Sequence, residues 1–313
     1  AEQAVIKALE FMNDGYDWIV DLDLSKFFDN VNQDILMILV HKVIKDPDTE
    51  SLVRRILQGG VLVEGTYEET KIGTAQGSPI SPLLANIYLN EFDKELMSRG
   101  LHFVRYADDC IICVKSEAAA NRVMSSVTKW LTEHLRVEVN ATKTKVARPK
   151  EIKYLGFSFY QKNGEWKPKP HIKSVKKLEY KLKPLLKRNW GVSMEYRMKK
   201  INEVTRGWIN YYRIGVMKYF VDVFGQWLRH KIRVIILKQW KRPRRIYINL
   251  QKLNKKFSYH FSDEEIFSVA NTRLGLYRQA SGHVVNFLLS PKILAIKKKD
   301  RPGLVNPLIY YLS

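Results

Sequence analysis

The pattern of apolar residues changes once along this chain, near residue 160. Before that point, short apolar runs typical of strands alternate with segments whose apolar residues recur at helical spacing. After it the pattern is helical and basic, and Pro184 is expected to kink or divide one helix. Alternating strands and helices followed by helices alone predict an α+β chain, with a mixed sheet carrying helices on one face and then a helical domain.

The excess positive charge lies almost entirely in the helical part. The 313 residues carry a formal net charge of +21, and the segment 161–256 alone contains 27 Lys and Arg against 5 Asp and Glu. This density favours a polyphosphate partner over a solvated basic face. An acidic membrane surface would attract the same charge. However, no apolar run approaches the length of a membrane span and no secretory signal is visible, so nucleic acid is the preferred partner.

The only cysteines, Cys110 and Cys113, have the C-x-x-C spacing of redox and zinc sites. A structural zinc site needs four ligands, and the sequence offers no second pair with suitable spacing. Both lie in the apolar run CIICV, where strand geometry turns positions three apart to opposite sides. We therefore expect two small buried hydrophobic residues, and free thiols favour a reducing, cytoplasmic setting.

Three motifs occur in a fixed order: D-L-S-K-F-F-D from Asp23, Q-G-S-P-I-S-P-L-L-A-N from Gln76, and Y-A-D-D from Tyr106. Asp21 and Asp23 are two apart in an apolar strand, so they face the same way. Crowded carboxylates repel one another unless a cation neutralises them, and such hard oxygen ligands suit Mg²⁺. Two ions could activate a 3′-hydroxyl and stabilise leaving pyrophosphate. An Asp-Asp pair alone is usually a turn, but the ordered set predicts one shared site.

These motifs resemble the palm motifs A, B and C of reverse transcriptases. The resemblance implies that Asp23, Asp108 and Asp109 are the catalytic carboxylates and hold two Mg²⁺ ions. It also implies that the backbone carbonyl of Leu24 completes the shell of one ion. It gives no role to Asp21, which we expect to be a hydrogen-bonded strand residue.

The same resemblance assigns the substrate-binding residues. Phe28 lies where the family has its steric gate, the ring that excludes a ribose 2′-hydroxyl. Gln76 and Gly77 would border the incoming nucleotide, and Tyr106 would lie beside it. Lys143, in N-A-T-K-T-K, matches the motif D lysine, a proton donor to pyrophosphate. Y-L-G-F matches the primer grip, so the resemblance implies that Tyr154, Leu155 and Gly156 contact the nucleic acid.

Downstream, R-G-W-I-N-Y-Y (residues 206–212) resembles domain X, the thumb of group II intron maturases. The resemblance implies a protein that copies intron RNA and also binds it to assist splicing. The implied partners are the group II intron RNA, an RNA template with a DNA primer, dNTPs and, as a candidate, target DNA. The thumb candidates for nucleic-acid contact are Arg206, Arg229, Arg233, Lys238, Arg242, Arg244 and Arg245.

The predicted organisation is a palm with a remnant of fingers over 1–160, a helical thumb over 161–256, and a C-terminal segment over 257–313 that is a candidate for nucleic-acid binding. The family's fingers and H-N-H endonuclease have no match here. The sequence begins without Met inside a helical pattern, so we expect it to be part of a longer protein of the bacterial cytosol or an organelle. Two alternatives stay open: an RNA-binding splicing cofactor with a silent palm, and a reverse transcriptase of a retron, diversity-generating or CRISPR-linked system.

Overall fold

The computed structural model describes residues 1–59, 61–63, 66–68, 72–74, 78–297 and 302–313. They fall into two compact units, Ala1–Pro168 and Lys169–Ser313. Each unit has its own hydrophobic core. Among these residues, no helix combines the length and the apolar character that crossing a membrane requires.

The elements that begin in the first unit follow one another as helices and short strands. They are α1 (Glu2–Asn13), β1 (Trp18–Leu22), α2 (Phe27–Asn30), α3 (Gln33–Val43), α4 (Pro47–Gln58), β2 (Val61–Val63), β3 (Thr66–Glu68), α5 (Ser81–Ser98), β4 (His102–Tyr106), β5 (Asp109–Val114), α6 (Glu117–Leu135), β6 (Lys145–Ala147), a 3₁₀ turn (Pro149–Glu151), β7 (Phe157–Lys162) and β8 (Glu165–Pro170). Ser116 caps the N-terminus of α6, since its hydroxyl accepts a hydrogen bond from the Ala119 amide at 3.2 Å.

The main sheet has four strands in the order β4-β5-β1-β6. Every pairing in it is antiparallel. The α+β class is therefore confirmed, but the prediction of a mixed sheet was wrong. Strand and helix alternation alone could not show that β1 pairs with β5 and β6 rather than with a parallel neighbour.

Helices cover both faces of this sheet. Val20 and Ile112 are opposite each other and pack into the core with α3, α5 and α6. His102 faces the other way, where Phe11 of α1 meets its ring edge-on at 4.9 Å and Tyr16 stacks on it at 4.0 Å. The expectation of helices on one face was therefore wrong. The short α1 supplies a second covering layer that buries Ile19 completely.

The second unit is helical. Its helices are α7 (Ile172–Leu185), α8 (Met194–Tyr212), α9 (Lys218–Trp240), α10 (Pro243–Lys256), α11 (Asp263–Ala270), α12 (Gly275–Gln279), α13 (His283–Leu288), α14 (Pro291–Leu294) and α15 (Pro307–Leu312). Pro184 lies in the last turn of α7, so the helix ends there instead of continuing past a kink.

Residues after 256 belong to the same core as the helices before them. Ile266, Val285 and Leu288 are buried in one cluster with Leu228 and Ile232 of α9. The structure therefore has two units where the sequence predicted three segments, and the first unit extends to Pro168 instead of 160. The C-terminal helices are short and weakly patterned, which hid their apolar faces from the sequence analysis.

Both cysteines are free and buried in β5, as the sequence predicted. Burial raises the pKa of the Cys110 and Cys113 thiols above their ordinary range, so both stay protonated at neutral pH.

Candidate active site

The backbone around Asp23 is held by the segment that leads into β6. The Asp23 amide donates to the Thr144 hydroxyl at 3.1 Å, and the Asn140 amide donates to the Asp23 carbonyl at 2.8 Å. The Ser25 amide donates to the Glu138 carbonyl at 2.8 Å. These bonds flank Leu24, which faces Val139 as a non-hydrogen-bonded pair. This pairing therefore leaves the Leu24 carbonyl oxygen available to a ligand.

The turn Y-A-D-D joins β4 to β5, with Tyr106 opposite Asp109. Ala107 has a φ of 56°, a left-handed conformation that few residues other than glycine adopt. A tight two-residue loop demands this geometry, and it places Asp108 at the tip of the hairpin. The Tyr106 side chain is 47% exposed, so its ring is accessible to a substrate.

The strand register brings the carboxylates together. Leu22 of β1 is opposite Cys110 of β5. Asp23 follows Leu22 and Asp109 precedes Cys110, so both aspartates lie at the same end of the two antiparallel strands. Packing around the Asp109 carboxyl group raises its pKa, and the negative charges of Asp108 and Asp23 raise it further. The charges of the other two predicted catalytic aspartates therefore act on Asp109, although Asp23 and Asp108 are 85 residues apart in the sequence.

Asp21 is the fourth carboxylate of this sheet face. Burial, with smaller contributions from Asp109 and Asp23, raises its pKa to about 6, against the opposing positive charge of Lys145. Lys145 is its cross-strand neighbour in β6. Asp21 is therefore a strand residue whose cross-strand neighbour is a cation.

Lys143 approaches the site from a turn that begins at Asn140. Its ammonium nitrogen lies 3.4 Å from the nearer carboxylate oxygen of Asp23. The Lys143 side chain is 65% exposed, so this ion pair contributes well under about 1 kcal/mol to stability. A cation held this loosely is free to move to a substrate phosphate.

The carboxylate groups of the predicted site are chemically suited to bind divalent cations. Across the described part of the chain, no three His, Cys, Asp or Glu side chains stand in the arrangement of a preformed metal site. The donors are nevertheless hard oxygens, and a nearby cation would favour the charged form of Asp109, whose pKa is raised first by burial and then by the charges of Asp108 and Asp23. Asp23, Asp108 and Asp109 are the residues that could hold such ions.

Phe28, the predicted steric gate, lies next to the segment before the second motif. The Thr74 amide donates to the Phe28 carbonyl at 2.7 Å. Gly73 has a φ of 85°, and a Cβ there would lie 2.6 Å from the Asp29 carbonyl oxygen. Only glycine permits so close an approach of the two backbones. Gln76 and Gly77, predicted to border the nucleotide, lie outside the described residues.

The Y-L-G-F segment is a tight turn whose first residue points inward. Leu155 and Gly156 both have positive φ, at 48° and 84°, as a type I′ turn requires. Tyr154 is 2% exposed, and its hydroxyl donates to the Val104 carbonyl at 3.3 Å. The prediction of a nucleic-acid contact by the Tyr154 side chain is therefore corrected. The ring anchors the turn to β4, and only the half-buried Leu155 and Gly156 reach the surface.

Arg105, which the sequence analysis did not single out, organises the Y-A-D-D hairpin. Its guanidinium forms a two-pronged ion pair with Asp93, with Nε 2.7 Å from Oδ1. Its Nη1 also donates to Asn86 Oδ1 at 3.1 Å and to the Ala107 carbonyl at 2.9 Å. Burial lowers the pKa of Arg105, but the hydrogen bond and charge of Asp93 outweigh it and leave the pKa raised. One buried cation thus ties the turn to α5.

Comparison with known proteins decides the family. The family profile described as "Reverse transcriptase (RNA-dependent DNA polymerase)" matches residues 3–159, just over half of the chain. The chain belongs to the reverse transcriptase family. A second profile, "Group II intron, maturase-specific domain", matches residues 175–254.

Several curated proteins are similar to this chain over part of their length. The group II intron-encoded protein LtrA of Lactococcus lactis is 38% identical, covering 31% of this chain and 16% of LtrA. Protein YkfC of Escherichia coli is 29% identical, and the match covers 41% of this chain and 43% of YkfC. The putative COX1/OXI3 intron 2 protein of Saccharomyces cerevisiae is 25% identical, and the match covers 54% of this chain and 26% of that protein. The chain spans less than half the length of each of these relatives.

Among solved structures, telomerase from Candida albicans in complex with a TWJ fragment of telomeric RNA has a TM-score of 0.45 and 16% identity to the reverse transcriptase chain. The match covers 87% of this chain and 52% of that one.

The basic candidates of the second unit differ in accessibility. Arg206 is exposed, with its guanidinium 5.6 Å from the Tyr310 ring. Arg229 is half-buried, and burial lowers its pKa. Four other residues predicted to contact nucleic acid are also exposed: Lys238, Arg242, Arg244 and Arg245.

Arg233 was predicted to contact nucleic acid, and the structure corrects this. It is 8% exposed, donates to the Leu289 carbonyl at 3.0 Å and also bonds the Asn286 side chain. Burial lowers its pKa to about 10, so it still carries its charge at neutral pH. It links α9 to the C-terminal helices. The sequence could not reveal which face of α9 is buried at that position.

Proposed function

We propose that this chain is the polymerising core of an RNA-directed DNA polymerase that copies intron RNA into cDNA. The observation that supports the proposal is the pairing of β1 with β5, which ends at Leu22 and Cys110 and so brings Asp23 and the Asp108-Asp109 pair to the same end of the two strands. Burial raises the pKa of Asp109, and the negative charges of Asp108 and Asp23 raise it further; carboxylates grouped in this way suit nucleotidyl transfer with divalent cations.

Each residue has a distinct task in this proposal. Asp23, Asp108 and Asp109 would hold two Mg²⁺ ions, with the Leu24 carbonyl as a further ligand. Such ions, when bound, lower the pKa of a 3′-hydroxyl and offset negative charge on the leaving pyrophosphate. Lys143, loosely paired with Asp23, turns to the pyrophosphate and supplies its proton. Arg105 keeps Asp108 and Asp109 in position through the Ala107 carbonyl.

The proposed substrates are dNTPs and an RNA template paired with a DNA primer. The half-buried Phe28 would exclude a ribose 2′-hydroxyl by bulk, and the exposed Tyr106 would lie against the incoming nucleotide. Gln76, Gly77, Leu155 and Gly156 are proposed to border the nucleotide and the primer.

The second proposed role is binding of group II intron RNA to assist splicing, with target DNA as a further partner. It is supported by the maturase-specific match over residues 175–254 and by the concentration of Lys and Arg there. The same match favours an intron origin over a retron or a related system. The free buried thiols support a reducing compartment, in a bacterial cytosol or an organelle.

A primer-extension assay tests the proposal, using the protein of the complete reading frame on an RNA template. Asp108→Asn should reduce cDNA synthesis by roughly 10³-fold or more, because several kcal/mol of transition-state stabilisation are lost. RNA affinity, measured in parallel, should stay within about twofold. Ordinary extension by the variant would instead favour an RNA-binding splicing cofactor in which the palm carboxylates have no chemical role.

A further inference from the structure

A groove with a volume of about 1110 Å³ opens on the second unit, with α7 on one side and α9 on the other. It is larger than the roughly 300–1,000 Å³ pockets that enclose small ligands, so it suits a run of chain more than a single compact molecule. Among the described residues that line it, Glu179 is the only acidic one. The basic side chains of the groove are Lys176, Lys183, Lys187, Arg188, Lys231 and Lys238.

Aromatic rings are interleaved with these cations. Tyr180 on α7 and Tyr277 on α12 line the groove and are 79% and 55% exposed. Trp227 on α9 also lines the groove and is half-buried. The Lys231 ammonium is 5.0 Å from the centre of the Tyr277 ring and 6.0 Å from that of Trp227. Cations and accessible ring faces therefore occupy the same surface.

One wall of the groove is held by a buried arginine. Arg197 of α8 is 1% exposed and donates to the carbonyl groups of Leu185, Lys187 and Trp190, the last two at 3.0 and 2.9 Å. These bonds satisfy carbonyls at the end of α7 and fix the segment that follows it. Lys187 and Arg188 therefore project into the groove from an ordered backbone.

We propose that this groove binds single-stranded RNA, with bases stacked on Tyr180 and Tyr277 and phosphates neutralised by the surrounding lysines. The inference deepens the proposed function by assigning an unpaired segment of the bound RNA to a defined surface. A duplex presents phosphates but hides its base faces, whereas a single strand offers both groups that this lining recognises. The exposed arginines of α10 are not part of the groove.

The test is a binding assay with a short single-stranded RNA carrying 2-aminopurine, whose fluorescence falls when it stacks, and with a matched RNA duplex. Tyr180→Leu and Tyr277→Leu should each weaken single-strand binding by about tenfold and reduce the quenching, because each removes one stacking surface. Duplex affinity should stay within about twofold. Tyr219→Leu is the control, since Tyr219 is 84% exposed on the same unit but outside the groove.

Equal losses on single strand and duplex, or no loss in either tyrosine variant, would overturn the proposal. Equally tight binding of single-stranded DNA would overturn the assignment to RNA. Primer extension at saturating template-primer separates this site from the polymerase site. The tyrosine variants should extend normally, and Asp108→Asn should keep its single-strand binding, so either site can fail without the other.

Discussion

Arg105 offers a quantitative test of how the Y-A-D-D hairpin is held. Its side chain is 10% exposed and that of its partner Asp93 is 17% exposed, so the pair is largely removed from water. Arg105→Met keeps much of the volume but leaves the Asp93 carboxylate buried without its cation. Removing one member of a buried pair costs about 3–5 kcal/mol. The loss should fall in this range because the Ala107 and Asn86 oxygens also lose their donor.

The assay is urea unfolding followed by circular dichroism, with two comparison variants. Arg99 and Glu95 form a more exposed ion pair, with side chains 29% and 27% exposed. Arg99→Met should therefore lower the free energy of unfolding by less than about 1 kcal/mol. The double variant Arg105→Met/Asp93→Leu should be more stable than Arg105→Met alone, because no unpaired charge remains. If Arg105→Met costs no more than Arg99→Met, the buried cation does not hold the hairpin.

Three further variants test separate parts of the account. Phe28→Ala should admit ribonucleotides in single-nucleotide extension, since exclusion is by bulk; unchanged discrimination would make Phe28 a packing residue only. Gly73→Ala should lower the free energy of unfolding, measured in urea, by about 1–3 kcal/mol more than Gly164→Ala, because both glycines have positive φ but only Gly73 faces a backbone oxygen. Equal losses of stability in the two variants would contradict the close approach to Asp29. Replacing Arg242, Arg244 and Arg245 with Gln should reduce the slope of log affinity for intron RNA against log salt by about 0.7–0.9 per lost phosphate contact, and an unchanged slope would identify these arginines as solvated surface.

The sequence was most informative where chemistry and spacing coincide. Asp23, Asp108 and Asp109 were found because carboxylates beside apolar strands are unusual, and the strand register brings them together. Arg105 was missed because one strand residue beside a motif gives no hint that Asp93, twelve positions earlier, is its partner. Such pairings depend on how α5 lies against the sheet, which residue order does not encode locally.

The errors have a common physical origin. Tyr154 and Arg233 were predicted to face nucleic acid because each lies in a suitable motif or basic segment. The structure buries both and uses their polar groups to bond backbone carbonyls. Composition gives the net charge of a helix, but only tertiary packing decides which of its cations reach solvent. The assignments of Lys143, Phe28, Gln76 and Gly77 remain predictions.

The most direct test of the central claim compares two aspartates of the same sheet face. In single-turnover addition of one dNTP to a DNA primer on an RNA template, with Mg²⁺, Asp109→Asn should slow the chemical step by roughly 10³-fold. Asp21→Asn should change it by less than about tenfold, because Asp21 lies within β1 with Lys145 as its cross-strand neighbour and is not one of the proposed metal ligands. Near-normal addition by Asp109→Asn, or an equal loss in both variants, would contradict the assignment of Asp23, Asp108 and Asp109 as the catalytic carboxylates.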